Sequence, residues 1–139
     1  MTAPVNKSAA LCETDSGLKR LLVIDDDTSV LFALKKLFNS ALVKVDTSES
    51  LEEAKECIDS NRYNLILTDL GFSEVVSDAG IEIAIYAKSK YPGVKIILWT
   101  GSENASLTEK ARAADVDYVF RKPLSPLIIK KIMENLYFM

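Results

Sequence analysis

The stretch Leu21-Leu22-Val23-Ile24-Asp25-Asp26-Asp27 joins a continuous apolar run to three consecutive carboxylates. Such a run is typical of a parallel strand that helices cover on both faces, because neither side of the strand meets water. Further apolar runs follow at residues 42–45, 65–67, 94–99 and 118–120, with helical patterns between them. This alternation predicts an α/β fold with five parallel strands.

The composition of the runs predicts their places in the sheet. The first, third and fourth runs are almost wholly apolar, so we expect them to form central strands. The second run alternates with charged residues and the fifth is short and ends beside Arg121, so we expect these two at the edges. A doubly wound sheet in the order 2-1-3-4-5 satisfies both expectations, and its ligand crevice lies beyond the carboxyl ends of the central strands.

Helix-start signals lie between the apolar runs. Thr28 or Ser29 precedes the first helical pattern, and Ser50 and Glu53 form a capping box before the second. Ser125, followed by a proline, marks the start of the last helix. These signals support the helices that the alternation requires.

Length and composition limit the classes of function. The chain of 139 residues has the size of one domain, predicted at 19–139, and residues 1–18 show no periodic pattern and are expected to be a flexible tail. The chain has no histidine, which excludes histidine-dependent hydrolases and histidine-ligated zinc sites. A net charge of −3 argues against direct nucleic-acid binding. The apolar runs are too short to cross a membrane, so we expect a cytoplasmic protein.

Carboxylates are predicted to gather at one edge of the sheet. Asp25, Asp26 and Asp27 follow the first strand directly, and Asp69 follows the third. Neighbouring strands lie roughly 4.8 Å apart, so these carboxylates are expected to share one crevice. Their charges repel unless a cation or a proton neutralises them, and an all-oxygen ligand set favours a hard ion such as Mg²⁺. For Asp27, a role as helix cap or solvated side chain is the favoured interpretation.

The remaining strand ends carry donors suited to a phosphoryl group. A Mg²⁺ ion bound by carboxylates keeps open positions for phosphate oxygens, which indicates phosphoryl transfer. Asp69 stands apart from the aspartate triplet and is the better placed nucleophile for an acyl phosphate. Thr100 follows the fourth strand and Lys122 the fifth, where a hydroxyl and an ammonium can bind phosphoryl oxygens.

Five ordered motifs over about residues 20 to 138 resemble those of response-regulator receiver domains, the CheY-like domains of two-component signalling. The motifs are Ile24-Asp25-Asp26-Asp27, Leu67-Thr68-Asp69-Leu70, Asp78-Ala79-Gly80-Ile81-Glu82, Leu98-Trp99-Thr100-Gly101 and Arg121-Lys122-Pro123-Leu124. The resemblance implies a flavodoxin-like fold with Asp69 as the phosphoacceptor. It also implies that Asp26, Asp69 and the carbonyl of Gly71 bind Mg²⁺, or Mn²⁺, directly, with Asp25 assisting through water.

The resemblance further implies how the phosphoryl group is bound and sensed. Thr100 and Lys122 would contact it, and the peptide bond before Pro123 would be cis, which proline tolerates. In this family a switch aromatic normally lies three residues before the lysine, where this chain has Val119. Tyr118, one residue earlier, is the candidate switch residue together with Thr100, provided that a bulge shifts it.

Partners follow from the same resemblance. A sensor histidine kinase or a phosphotransfer protein would donate the phosphoryl group from a phosphohistidine. A downstream effector would bind the face made by the fourth helix, the fifth strand and the fifth helix. The domain would catalyse its own phosphorylation and dephosphorylation and act on no separate substrate.

Two further departures from the family concern the surroundings of Asp69. The loop at 71–79 is about three residues longer than usual, with Ser73 where proline is common. Gly71 and Ser102 are small residues at positions that in this family border the path of the attacking water, and the resemblance therefore implies little shielding of the acyl phosphate. The loop could alter kinase docking or water access.

Two alternative functions compete with the receiver interpretation. Asp25-x-Asp27-x-Ser29 imitates the first motif of haloacid-dehalogenase phosphatases, but that family needs an acidic pair after its lysine and no aspartate follows Asp117. The other alternative is a receiver-like adaptor that binds partners without being phosphorylated. Trp99 and Tyr118 are interpreted as packing residues and not as ligand binders.

Overall fold

A computed structural model describes residues 18–72, 78–101, 105–122 and 125–134. In this part of the chain, each strand is followed by a helix of the same number. The strands are β1 (Lys19–Ile24), β2 (Val43–Ser48), β3 (Leu65–Asp69), β4 (Lys95–Thr100) and β5 (Tyr118–Arg121). The helices are α1 (Thr28–Phe38), α2 (Leu51–Ser60), α3 (Ala79–Lys90), α4 (Ala105–Ala113) and α5 (Pro126–Met133). Apart from Leu18, the predicted tail lies outside the described residues.

The five strands form one parallel sheet in the order β2-β1-β3-β4-β5. This is the predicted order 2-1-3-4-5, and the assignment of central and edge strands is confirmed. The central strands are buried along most of their length, whereas β2 alternates and β5 is largely exposed. The strand order reverses between β1 and β3, which places the ligand crevice of this fold at their carboxyl ends.

Side chains of alternate strand residues point to opposite faces of the sheet, and each face has its own apolar cluster. On β1, Leu22 and Ile24 belong to the cluster that α2, α3 and α4 cover, and Leu21 and Val23 to the one that α1 and α5 cover. Full burial of such a side chain stabilises the fold by about 1.5–3 kcal/mol. No helix in the described part of the chain is both long and apolar enough to span a bilayer.

Local hydrogen bonds explain where two helices begin. The Ser50 hydroxyl accepts the amide of Glu53 at 3.1 Å, as predicted for the start of α2. The Glu53 carboxylate accepts the amide of Glu49, one residue before the cap, at 2.9 Å. Ser125 caps α5 by accepting the amide of Leu127 at 3.2 Å. The caps satisfy amides that have no partner within the helix.

Candidate functional site

Three carboxylates meet at the carboxyl ends of β1 and β3. Asp25 and Asp26 directly follow β1, and Asp69 is the last residue of β3. The register pairs Ile24 with Thr68, so the two strands end at the same level. Carboxylate oxygens of Asp25, Asp26 and Asp69 all lie within 4.8 Å of one another. The structure therefore brings together three of the four carboxylates that were predicted to share one crevice.

Asp25 is the most buried member of this cluster, with an exposed fraction of 3%. Burial raises the pKa of Asp25, since a charged carboxylate loses hydration there. The amide of Asp27 donates to Asp25 Oδ1 at 2.9 Å, and this bond and the charge of Lys122 lower the pKa without cancelling the effect of burial. The neighbouring charge of Asp69 raises it further. The folded protein therefore holds the proton of Asp25 more tightly than an exposed aspartate would.

Lys122 places its ammonium between two of these carboxylates. Its Nζ lies 3.2 Å from Asp69 Oδ1 and 3.4 Å from Asp25 Oδ2. Burial lowers the pKa of Lys122, but the charges of Asp25 and Asp69 and the hydrogen bonds to them outweigh burial and raise it. The lysine is therefore held in its charged form, and its one positive charge offsets only part of the negative charge of three carboxylates.

Thr100 ends β4 beside this cluster. It is buried, with an exposed fraction of 4%, and its carbonyl accepts the amide of Lys122 at 2.7 Å. The register pairs Asp69 with Trp99, so Thr100 lies one residue beyond the phosphoacceptor candidate on the next strand. The arrangement puts a hydroxyl-bearing residue and an ammonium at adjacent strand ends, as predicted.

Asp27 caps α1 and is not part of the three-carboxylate cluster. Its Oδ1 accepts the amide of Ser29 at 3.0 Å, the hydroxyl of Ser29 at 2.7 Å and the amide of Val30 at 3.4 Å. These bonds lower the pKa of Asp27. The predicted cap role is confirmed. The prediction that Thr28 or Ser29 caps the helix was wrong, because Asp27 is an equally good acceptor one position earlier and the helix begins at Thr28.

Gly80 lets the first turn of α3 pack directly on the end of β3. A Cβ at this position would lie 2.7 Å from the carbonyl oxygen of Asp69 and 2.8 Å from Leu98 Cδ1. The amide of Gly80 donates to the carbonyl of Leu70 at 2.9 Å, which fixes this close approach. Sequence reasoning recorded Gly80 within a motif but missed that it positions the backbone of Asp69.

Tyr118 is the first residue of β5 and lies three residue pairs nearer the amino end of the sheet than Thr100. The register pairs Tyr118 with Ile97 and advances residue for residue to Arg121 opposite Thr100, so these pairs contain no bulge. Its ring is partly exposed and stacks on Phe120 with centroids 5.8 Å apart. The bulge that a switch role for Tyr118 requires is therefore absent from these pairs, and the role itself stays a prediction.

Other predicted features fall at or beyond the limits of the described residues. Gly71 is exposed two residues after Asp69, and its role as a carbonyl ligand stays a prediction. Ser73, Ser102 and Pro123 lie outside the described residues, as does most of the long loop. The cis peptide bond and the shielding of the acyl phosphate are therefore untested.

Trp99 belongs to the apolar cluster beneath α1 and α5, which confirms its predicted packing role. Sequence reasoning missed a second contact of the same side chain. Lys122 Nζ lies 5.2 Å from the centroid of the indole ring, within the range of a cation–π interaction. The indole thus adjoins the site.

Comparison with known proteins agrees with this geometry. The family model for the response regulator receiver domain matches residues 21–134. A CheY-like receiver domain protein from Methanospirillum hungatei is 28% identical, with a TM-score of 0.76 over 86% of this chain and 94% of its own. A two-component response regulator from Clostridium difficile is 23% identical, with a TM-score of 0.76 over 85% and 94% of the two chains.

A search of curated proteins found no matching relative. A receiver domain protein from Clostridium thermocellum is 24% identical, with a TM-score of 0.74 over 85% of this chain and 93% of its own. These matches favour the receiver interpretation over the haloacid-dehalogenase type. The family match covers most of the chain. The matched residues include Asp25, Asp26, Asp69 and Lys122. The chain therefore belongs to the response regulator receiver domain family of two-component signalling.

Proposed function

We propose that this receiver domain is a phosphoacceptor in which Asp69 receives a phosphoryl group from the phosphohistidine of a sensor histidine kinase or a phosphotransfer protein. The observation that carries the proposal is the position of the Asp69 carboxylate. It lies 3.2 Å from the ammonium of Lys122 and within one cluster with Asp25 and Asp26. A nucleophilic oxygen, a positive charge and a set of acidic ligands therefore meet at one point.

The donor set fits a Mg²⁺ ion. The cluster offers three carboxylates in a chain without histidine, and oxygen ligands suit Mg²⁺ or Mn²⁺. Burial raises the pKa of Asp25, so this carboxylate would gain from a nearby cation. Asp26, Asp69 and the Gly71 carbonyl would hold the ion directly, and Asp25 would act through water. When bound, the ion would neutralise charge on the carboxylates and on the phosphoryl oxygens.

The transfer forms one bond and breaks another. A carboxylate oxygen of Asp69 attacks phosphorus, and the bond from phosphorus to the imidazole nitrogen of the donor breaks, with the electron pair leaving on nitrogen. Lys122 donates to the transferred group from its place beside Asp69, and the hydroxyl of Thr100 donates to a second oxygen. Later attack by water at phosphorus releases inorganic phosphate and restores the carboxylate. The domain thus acts on no separate substrate.

Phosphorylation would change the output surface of the domain. On the scale of a phosphomonoester, the phosphoryl group would carry about −1.5 to −2 charges in place of the single charge of the carboxylate, and it would draw Thr100 and Lys122 towards it. The effector would bind the face made by α4, β5 and α5. Exposed apolar side chains on β5 and α5 support this choice, since they offer a surface for a partner. They are Tyr118, Val119, Leu127 and Ile128. The phosphohistidine of the proposed donor is formed with ATP, which is a cytoplasmic substrate. We therefore place the protein in the cytoplasm.

A phosphorylation-independent adaptor is the second candidate. The observation that favours it is the register of β5, in which Tyr118 lies opposite Ile97 and three pairs away from Thr100. In such a protein the same fold and output face would bind a partner constitutively. The acidic cluster would then have no phosphoryl group to bind.

The test is the intact mass of the protein after incubation with acetyl phosphate and Mg²⁺. We expect the wild type to gain the mass of one phosphoryl group, and this gain to disappear with EDTA and in Asp69→Asn. Asp27→Asn is the matched control, because it changes a neighbouring aspartate that caps α1 and should leave labelling intact. Absence of the adduct in the wild type, under conditions that label an established receiver domain, would favour the adaptor.

A further inference from the structure

We propose that Trp99 is a positioning residue whose indole face holds the Lys122 ammonium beside Asp25 and Asp69. The inference rests on the proposed function, because it concerns how the chain prepares Lys122 to meet the phosphoryl group. Lys122 Nζ lies 5.2 Å from the centroid of the indole ring, inside the distance of about 6 Å that a cation–π interaction requires.

The backbone ties this indole closely to the phosphoacceptor. Trp99 and Asp69 are register partners on β4 and β3, and the amide of Leu70 donates to the carbonyl of Trp99 at 3.1 Å. The Trp99 side chain is 8% exposed and packs in the apolar cluster beneath α1 and α5. A buried ring on a central strand is a rigid platform, whereas the lysine that it contacts has a long flexible side chain.

Lys122 needs such a platform because its other partners have a second role. Its ammonium bridges Asp25 Oδ2 at 3.4 Å and Asp69 Oδ1 at 3.2 Å. Both carboxylates are also proposed to bind a cation or to accept the phosphoryl group, and either event weakens their hold on the ammonium. The indole face has no competing role. It keeps the positive charge within reach of Asp69 while the carboxylates change partners.

The indole nitrogen argues that packing alone does not explain Trp99. Its Nε1 is buried and has no hydrogen-bond partner within the described part of the chain. A buried N–H without an acceptor destabilises a fold, and a leucine or a phenylalanine would fill space without that penalty. Tryptophan differs from leucine and phenylalanine because its aromatic face attracts a cation most strongly.

The contact can be measured without any phosphorylation. Protons on the face of an indole ring are shifted upfield, so we expect the Lys122 Hε signals in NMR spectra of lysine-labelled protein to lie upfield of those of lysines without a ring contact. Lys36, Lys55 and Lys90 also lie over aromatic rings and are left out of the comparison. Lys122→Met identifies the signal by removing it. In Trp99→Leu the Lys122 signal should move to the positions of ordinary lysines. An unshifted Lys122 signal in the wild type would overturn the proposal.

Reaction kinetics test whether the contact matters. We expect the rate of Asp69 phosphorylation by acetyl phosphate with excess Mg²⁺ to fall about tenfold in Trp99→Leu and about threefold in Trp99→Phe, which keeps an aromatic face. In a Lys122→Met background, Trp99→Leu should have no further effect. Ile97→Val is the control for a small packing change on the same strand and in the same cluster, and it should react like the wild type.

The outcomes separate this inference from the proposed function. If the wild type takes up no phosphoryl group, the proposed function fails, and the Lys122 chemical shift still decides where the ammonium lies. If the wild type reacts but Trp99→Leu reacts equally fast, or still slows the Lys122→Met protein, Trp99 is a packing residue and the inference is wrong. Should Trp99→Leu fail to fold, Trp99→Phe decides by its smaller shift and its intermediate rate.

Discussion

The carboxyl and amino ends of the sheet differ in how their charged side chains are paired. At the carboxyl end, three carboxylates lie close together, and the ammonium of Lys122 contacts two of them, Asp25 and Asp69. Near the amino end, carboxylate and amide oxygens meet donors, although Arg20 Nε is buried without a hydrogen-bond partner in the described part of the chain. The Tyr63 hydroxyl donates to Asp46 Oδ2 at 2.6 Å, and Arg20 Nη2 lies 3.9 Å from the same oxygen and donates to Asn61 at 2.9 Å.

This difference separates the stabilising end of the sheet from the binding end. Where donors meet acceptors, burial strengthens each hydrogen bond and fixes neighbouring strands. Where carboxylates outnumber cations, burial raises the energy of the folded state and leaves a demand for positive charge. The raised pKa of Asp25 reflects this burial of negative charge. Substitutions at the two ends should therefore differ in size and, for one pair of aspartates, in sign.

The largest effect is expected where α3 meets the carboxyl end. Gly80→Ala should destabilise the fold by about 3 kcal/mol, because the new methyl group overlaps the backbone of Asp69, which has little room to move. Phosphorylation of Asp69 should fall as well. Urea unfolding measures the first effect and intact mass the second. Gly93→Ala is the control, since a Cβ there has no neighbour within 4 Å; equal stability of the two variants would contradict the prediction.

The next effect belongs to the amino end. Tyr63→Phe should lower the free energy of unfolding by about 1.5 kcal/mol, since it removes a partly buried hydrogen bond to the carboxylate of Asp46. Burial and this bond raise the pKa of Tyr63, so the hydroxyl stays a donor at neutral pH. Tyr86→Phe is a matched control, because the Tyr86 hydroxyl donates to Asp59 over the same 2.6 Å on the surface. A loss in Tyr86→Phe as large as in Tyr63→Phe would contradict the role of burial.

Sequence reasoning succeeded where local pattern determines structure. Continuous apolar runs identified the central strands, and the shared edge of parallel strands brought the predicted carboxylates and Lys122 together. At the start of α1 it offered both Asp27 and Thr28 or Ser29 as caps, and only the first is right, because all three residue types are good caps and only backbone geometry chooses between them. It also missed two contacts, that of the Trp99 ring with the Lys122 ammonium and the close packing of Gly80 on the end of β3. Such contacts depend on interstrand register and side-chain direction, which periodicity does not specify.

The third prediction applies one chemical change at both ends. Asp25→Asn should stabilise the metal-free protein at neutral pH by on the order of 1 kcal/mol, because it removes a buried charge and keeps an oxygen to accept the amide of Asp27. Asp46→Asn should destabilise it, because Tyr63 and Arg20 lose a charged partner. Thermal melts in EDTA measure both changes in stability. If both variants were more stable than the wild type, or both less stable, the proposed contrast between the two ends of the sheet would be wrong.

The pH dependence of Asp25 follows from its raised pKa. The folded protein holds this proton more tightly than the unfolded chain, so the resulting stability is full below the ordinary aspartate pKa of about 3.9 and is lost as pH rises through the folded pKa. The advantage of Asp25→Asn over the wild type should therefore shrink on acidification from about pH 7 to about pH 4. An advantage that stays constant over this range would place its origin elsewhere.

The smallest effect, and the opposite pH dependence, is expected two residues away. Hydrogen bonds from Ser29 and Val30 lower the pKa of the exposed Asp27, so its stabilising contribution is present above the ordinary aspartate pKa and is lost as pH falls through the lowered one. Asp27→Ala should reduce the melting temperature slightly at neutral pH, and this loss should fade in acid. Asp27→Asn, which keeps a capping oxygen but lacks the charge, should melt between the wild type and Asp27→Ala. If Asp27→Asn melts as low as Asp27→Ala, the stabilising feature is the negative charge at the start of α1 and not the hydrogen bonds of the cap.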